Sequence, residues 1–379
     1  MRFLRKNKIN KTILVISDIH LGAGNLVDGK RNYLEDFHYD RELVDFLEYY
    51  SSSEYSNREI ELIINGDLFD FLAVPFVPYF DDEFWSEEAS LDKLKIICDA
   101  HPEVIKAFSV FLKAKSHKIT YIIGNHDAEF LFKSMRDFLI EKIDAELRDK
   151  FNFMLEQDGE YNPCKGVLIK HGHEYEVAHQ FPLMGSIVAD EQGKRYFLPP
   201  WGSYYVTRVI NKFKEERDHI NAVRPIRRFI INGLIYDTLY TVRFLLANAF
   251  YFIMVRFIQI YKQKSSIKEV LKSSLLELEL FGDYEALTRD VFEENKDIKC
   301  LIVGHTHEPV IRSFADGGVF INTGTWTNMY NLDFVSSPVG APLTYAQIDL
   351  VQKGKGPDSE LDINLNRWKG KNELPYEDY

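Results

Sequence analysis

The chain has 379 residues, 45% hydrophobic and 14% aromatic, enough apolar material for a large core and too much for a disordered chain. Acidic residues outnumber basic ones 58 to 46, a formal net charge of −12, which argues against broad binding to nucleic acid, whose phosphates select basic faces. Cys98, Cys164 and Cys300 are odd in number and far apart, so they define neither a disulfide framework nor a thiolate zinc site, and they suit a reduced compartment.

The start, Met1-Arg2-Phe3-Leu4-Arg5-Lys6, is basic like that of a signal peptide. The apolar run after it, Ile13 to Ile16, ends at once in Ser17-Asp18 and reads as a buried strand. No stretch has the roughly 18 uncharged apolar residues of a spanning helix. The expected location is cytoplasmic, including the inner face of a membrane.

Buried strands are expected at Thr12–Ile16, Glu61–Ile64, Ile119–Ile123, Gly166–Ile169 and Lys299–Val303, each a short aliphatic run bounded by turn residues. Amphipathic helices are expected at Arg41–Tyr50 and, as one longer element, Leu91–Lys115. This alternation predicts an α/β architecture. From about 185 the pattern changes. Pro199-Pro200-Trp201 breaks the chain, a basic stretch Arg208–Arg228 follows, and Phe229–Tyr261 is strongly apolar. The expected organisation is a core over 1–184, a helical insertion over 185–285, and the rest of the core with a C-terminal tail over 286–379. The tail from about Gln352 to Tyr379 is expected to wrap the surface without regular structure.

Each predicted strand ends in a polar cluster: Asp18-Ile19-His20, Gly66-Asp67-Leu68-Phe69-Asp70, Gly124-Asn125-His126-Asp127, His171-Gly172-His173 and Gly304-His305-Thr306-His307. Open α/β sheets bind ligands at the carboxyl ends of their strands. Together these clusters offer carboxylates, an amide oxygen and several imidazoles, a mixed N/O set suited to Mn²⁺, Fe or Zn²⁺ rather than Ca²⁺ or Mg²⁺.

The five clusters resemble, in content and order, the blocks of the calcineurin-like metallophosphoesterase superfamily. That resemblance implies a four-layer α-β-β-α sandwich and two divalent metal ions, with Mn²⁺ the first choice. It implies that Asp18, His20 and His307 hold one metal, that Asn125, His171 and His305 hold the other, and that Asp67 bridges them. Two cations roughly 3.5–4 Å apart clamp a phosphate and ionise a water between them near neutral pH. The expected reaction is attack of that hydroxide on phosphorus, with His126 as general acid and Asp70 as its orienting partner. The other reading of His126 is a structural role beside a ligand. His173 either contacts substrate or fills a turn.

Ile-Ser-Asp-Ile-His-Leu-Gly, Asn-Gly-Asp-Leu-Phe-Asp and Gly-His-Thr-His-Glu-Pro, with a helical insertion before the last block, are similar to the bacterial branch that includes UDP-2,3-diacylglucosamine hydrolases. His126 and His173 depart from that branch, where Arg and Asp are expected, and the insertion is larger. The substrate therefore stays open among phosphomonoesters, phosphodiesters and pyrophosphates, small or lipid-linked. A nuclease is the rival enzyme, and a non-catalytic metal-binding scaffold the rival from another class. The insertion is either a buried hairpin or dimer surface, or a peripheral membrane contact through 229–261, where Phe244–Val255 is flanked by Arg243 and Arg256. Oligomeric state is not legible.

Overall fold

In strand β1 (Lys8–Ile16) successive side chains leave opposite faces. Ile13 and Val15 enter a buried cluster with Ile63, Ile122, Val167, Ile302 and Ile321, whereas Leu14 and Ile16 join a different one with Leu43, Phe46, Leu94 and Phe108. The computed structural model describes residues 8–52, 55, 58–74, 81–156, 159–261, 291–315, 317–332, 340–352 and 359–370; the expectation for Met1–Lys6 lies outside them.

The other main strands are β2 (Glu59–Asn65), β3 (His117–Ile122), β4 (Phe151–Met154), β5 (Val167–Ile169), β6 (Cys300–Val303), β7 (Val310–Ser313), β8 (Val319–Asn322), β9 (Thr344–Gln352) and β10 (Ser359–Arg367). One sheet runs β10-β9-β1-β2-β3-β4 and the second β7-β8-β6-β5. The sheets share the Ile13/Ile302 cluster. Helices Asp40–Tyr50, Glu87–Ala100 and Pro102–Leu112 cover the outer face of the first, and Phe292 packs on Leu301, Val303 and Phe320 behind the second. This is the layered α/β arrangement predicted. β1, β2 and β3 are mutually parallel, as are β5, β6 and β8, so the polar clusters after β1, β2, β3, β5 and β6 come to one edge.

Two expectations are corrected. The helix expected over Leu91–Lys115 is two helices, divided at His101 by Pro102 at the first turn of the second; proline moves the residue before it out of the helical region, and His101 has φ −123° and ψ 50°. The tail is not irregular throughout. Ser359–Arg367 pairs antiparallel with β9 along its whole length, and Leu361, Ile363 and Leu365 pack against the inter-sheet core. Residues 353–358 and 371–379 lie outside the described set.

The helical layer contains a fully buried ion pair, Lys93 Nζ to Glu129 Oε1 at 2.8 Å, with Lys93 also 3.9 Å above the Phe84 ring. Removing one partner strands a charge in apolar surroundings. Lys93→Met is expected to lower unfolding free energy by about 3–5 kcal/mol, and adding Glu129→Leu to recover most of it. Urea denaturation of both variants checks this; equal stability of the two would contradict it.

The described part of the expected insertion holds short helices Trp201–Tyr205 and Asn211–Lys214 joined by a π-helical turn at Val206–Ile210. The helices Ile226–Tyr236 and Thr238–Tyr261 then form a hairpin. Asn211 Nδ2 donates to Leu72 O at 2.8 Å and Lys214 Nζ binds Asp36 at 2.7 Å, tying this segment to the core. Residues 262–285 of the expected insertion are outside the described ones.

Thr238–Ile258 is long and apolar enough to cross a membrane by length and composition, despite Arg243 and Arg256 within it. One face packs inward, through Tyr240, Phe244, Tyr251 and Val255. The opposite face carries Leu239, Leu246, Phe250, Ile253 and Phe257, all exposed, Phe250 by 70%.

Candidate metal centre

The site is assembled from backbone in an unusual conformation. Among the described residues, seven other than glycine have positive φ, and five of them are Asp18 (52°), His20 (58°), Asp67 (53°), His305 (69°) and His307 (66°). Left-handed backbone costs an L-residue about 1–2 kcal/mol, and it turns these side chains back over the strand ends. His20 N donates to Asp67 O at 2.9 Å, and His305 N to Asp18 Oδ2 at 3.0 Å, locking the loops together. The glycines of the clusters permit the crowding: a Cβ on Gly124 would land on Asp67 Oδ1, and one on Gly304 on Asp18 Oδ2.

Ligand atoms of Asp18, His20 and His307 lie within 4.8 Å of one another, as do those of Asp67, His171 and His305. In the first group His20 Nε2 is 3.1 Å from His307 Nε2, and His307 Nε2 is 3.5 Å from Asp18 Oδ1. In the second, His171 Nε2 is 3.1 Å from Asp67 Oδ2 and 3.2 Å from Asn125 Oδ1. Asp67 Oδ2 is also 3.9 Å from His20 Nε2, so one carboxylate oxygen faces both groups. His171 Nδ1 is 2.7 Å from Asn65 O. A proton on Nδ1 donated there leaves the Nε2 lone pair toward Asp67, the arrangement a metal-ligating imidazole needs.

The donor set fits two cations. Burial alone would raise the Asp67 carboxyl, but His171 and His126 hold it well below the usual carboxylate range. Burial disfavours charge on His171, yet the Asp67 carboxylate pushes it up to about 10. The centre is thus built to hold positive charge, which cations supply in place of protons on the ligating nitrogens.

His126 stands beside this set. Its Nδ1 is 2.9 Å from Asp70 Oδ1, and its ring meets His20 edge-on at 4.6 Å. Burial lowers its pKa, but Asp70 and Asp67 outweigh that and raise it to about 9. Asp70 does more than the sequence suggested. Its Oδ2 is 3.4 Å from His20 Nδ1, while Oδ1 also accepts from Leu72 N and Ala73 N. His173 is buried, stacked on Phe181 at 4.7 Å and absent from the cavity wall; burial lowers its pKa to about 3.

Sequence reasoning missed Glu176 and His179. Glu176 Oε2 is 2.6 Å from His305 Nε2, and His179 Nδ1 is 3.4 Å from Asn125 Nδ2. Neither belongs to a block, and the only signal was their position five and eight residues past His171. Further side chains support the clusters. Asp127 accepts from Leu68 N, Gly124 N and the Tyr121 hydroxyl. Asn322 Nδ2 donates to Gly304 O at 2.7 Å, and Thr325 Oγ1 to Asp18 O at 2.6 Å.

The centre opens into a cavity of about 1080 Å³ lined by His20, Asp67, Asn125, His126, Glu176, His179, His305 and His307 on one side. Val206, Ile210, Arg224, Ile226, Arg227 and Ile230 line it from the expected insertion.

The sequence profile of calcineurin-like phosphoesterases matches residues 11–223, more than half of the chain. The chain belongs to the calcineurin-like phosphoesterase family. Membership makes it a metal-dependent phosphoesterase, a hydrolase, and the family implies a dinuclear divalent centre that these residues could hold. Comparison with curated proteins finds no match. Similar solved structures include a dimetal phosphatase from Danio rerio, at 11% identity and TM-score 0.37, covering 95% of this chain and 100% of that one. A putative 5′-nucleotidase from Staphylococcus aureus, at 12% identity and TM-score 0.37, covers 97% of this chain, which spans 56% of the nucleotidase. The calcineurin-like phosphoesterase YfkN from Bacillus subtilis has 14% identity and TM-score 0.35, with 96% and 92% covered. The family assignment rests on the sequence match.

Proposed function

We propose that the chain hydrolyses a phosphate ester carrying an apolar group, drawn from a membrane surface. The observation that carries this reading is the cavity. The metal-ligand cluster and the wall of Arg224, Arg227, Val206, Ile210, Ile226 and Ile230 bound one space, a match for an anionic head with an apolar attachment.

The roles are these. Asp18, His20, Asp67 and His307 would hold one cation, and Asp67, Asn125, His171 and His305 would hold the other. Mn²⁺ is the first choice, with Fe or Zn²⁺ compatible with the same donors. When bound, the pair supplies charge to the phosphate oxygens and a nucleophile from water near neutral pH. His126, carrying a proton on the nitrogen away from Asp70, gives it to the leaving oxygen. Asp70 fixes the ring and offsets the imidazolium charge. Arg224 and Arg227 add positive charge to the cavity wall from the segment 185–285, which serves as the cap.

Contact with the inner face of a membrane completes the reading. Residues 201–261 contain nine Lys and Arg against four Asp and Glu, in a chain of net charge −12, and the Leu239–Phe257 face is apolar and exposed. Basic charge beside an exposed aromatic stripe suits an anionic bilayer. Arg243 binds Glu216 at 3.0 Å and the Tyr251 hydroxyl donates to Trp201 O at 3.1 Å, which favours a helix lying on the surface over one crossing it. A UDP-diacylglucosamine-type pyrophosphate is a narrower member of this substrate class.

The test compares Mn²⁺-loaded protein on water-soluble mono-, di- and pyrophosphates with lipid-linked counterparts. The lipid-linked member is expected to have at least about tenfold higher kcat/KM, the worth of about two buried methylenes; equal values would contradict the reading. With vesicles containing anionic lipid, wild type is expected to float and Phe250→Asp plus Phe257→Asp to stay in solution. No flotation of wild type would remove the membrane part.

A further inference from the structure

The second cation's ligand His305 is held at two points, one of them outside the five clusters. Its backbone N–H is fixed on Asp18 Oδ2 at 3.0 Å, and its ring nitrogen Nε2 lies 2.6 Å from Glu176 Oε2. An imidazole has two nitrogens, and one engaged by a carboxylate is not free for a metal. Nδ1 is the nitrogen left to join Asp67 and His171, whose ligand atoms lie within 4.8 Å of one from His305.

We infer that Glu176 is the positioning residue of the second cation site, accepting the Nε2–H of His305 and so turning Nδ1 to the metal. The inference rests on the dinuclear reading above. Metal-ligating histidines commonly donate their other N–H to a carboxylate or carbonyl, and losing that partner weakens metal binding about 10- to 100-fold. Asn65 O plays this part for His171 at 2.7 Å, and Asp70 Oδ2 lies 3.4 Å from the distal nitrogen of His20. Glu176 extends the same device to His305.

Local structure supports a fixed carboxylate. Glu176 closes the short helical turn His173–Tyr175, and its own carbonyl accepts from His179 N at 2.8 Å and Gln180 N at 3.0 Å. The His179 ring packs edge-on against His305 at 5.2 Å, limiting rotation of the His305 ring. A competing role exists, because ligand atoms of Glu176, His179 and His305 also lie within 4.8 Å of one another and could hold a cation directly.

The experiment is Mn²⁺ titration of the full chain, followed by metal analysis and electron paramagnetic resonance, which separates a spin-coupled pair from an isolated ion. Wild type is expected to bind two Mn²⁺ with a coupled signal. Glu176→Ala is expected to keep the first site and weaken the second about 10- to 100-fold, giving an isolated-ion signal at one Mn²⁺ per chain. Glu176→Gln, whose amide oxygen still accepts from Nε2–H, is expected to retain the coupled pair with less than about tenfold weakening. Unchanged binding in Glu176→Ala would overturn the inference. So would a Gln variant as weak as the Ala variant, or three Mn²⁺ in wild type, since either outcome makes Glu176 a direct ligand. A wild type with no coupled pair would overturn the dinuclear reading as well. Lack of hydrolysis by a protein that binds the pair bears on the proposed function alone, so the two failures are distinguishable.

Discussion

Asp67→Asn is expected to reduce hydrolysis by on the order of 10³-fold or more and bound Mn²⁺ from two per chain to at most one. Asp67 Oδ2 faces both His20 Nε2 and His171 Nε2, so its charge would serve both cations at once. Losing two-metal stabilisation of the transferring phosphoryl group removes several kcal/mol, at about 1.4 kcal/mol per tenfold in rate. Asn is the informative replacement because its amide oxygen can keep the 2.8 Å bond from His126 N, leaving the loop in place while removing charge. Metal analysis and steady-state rates on one preparation check the result. Two tightly bound cations with an unchanged rate would show that Asp67 does not bridge.

His126→Gln is expected to lower kcat about 10²- to 10⁴-fold with both cations retained. The loss should depend on the leaving group. A phenolate of low pKa departs without a proton, so an activated aryl phosphate should be nearly indifferent to the substitution, while an alkyl ester should show the full loss. Asp70→Asn should show a smaller version of this pattern and some weakening of the first cation, because Asp70 touches His20 as well as His126. Added to His126→Gln it should cost little more in kcat, since residues acting as a unit are not additive. Equal losses on both esters would reduce His126 to a structural neighbour of Asn125.

The parts of the site legible in sequence share a physical cause. Each cluster follows a short aliphatic strand, and parallel strands bring their carboxyl ends to one edge, so residues from Asp18 to His307 could be assigned to one site without knowing the packing. Glu176 and His179 gave no such signal, because they follow the short helical turn His173–Tyr175 and not a strand end. The left-handed backbone at Asp18, His20, Asp67, His305 and His307 was equally hidden, since only glycine announces positive φ by its identity.

Beyond the site, two signals were present and passed over. Leu361, Ile363 and Leu365 alternate in Ser359–Arg367, a period-two pattern in a segment polar enough to read as tail. Pro102 stood inside the stretch taken as one helix, and the break came where a proline places it. The hairpin is a different case. Helix Thr238–Tyr261 is apolar on both faces, and sequence could not tell which one meets Phe213 and Trp201 and which, with Phe250 and Phe257, stays exposed.

Whether two cations sit on either side of Asp67 can be seen in crystals of Mn²⁺-loaded protein measured at a wavelength giving anomalous scattering from manganese. Two anomalous peaks roughly 3.5–4 Å apart are expected, one against Asp18, His20 and His307 and the other against Asn125, His171 and His305, with Asp67 between them. A single peak, or a pair placed away from Asp67, would contradict this arrangement.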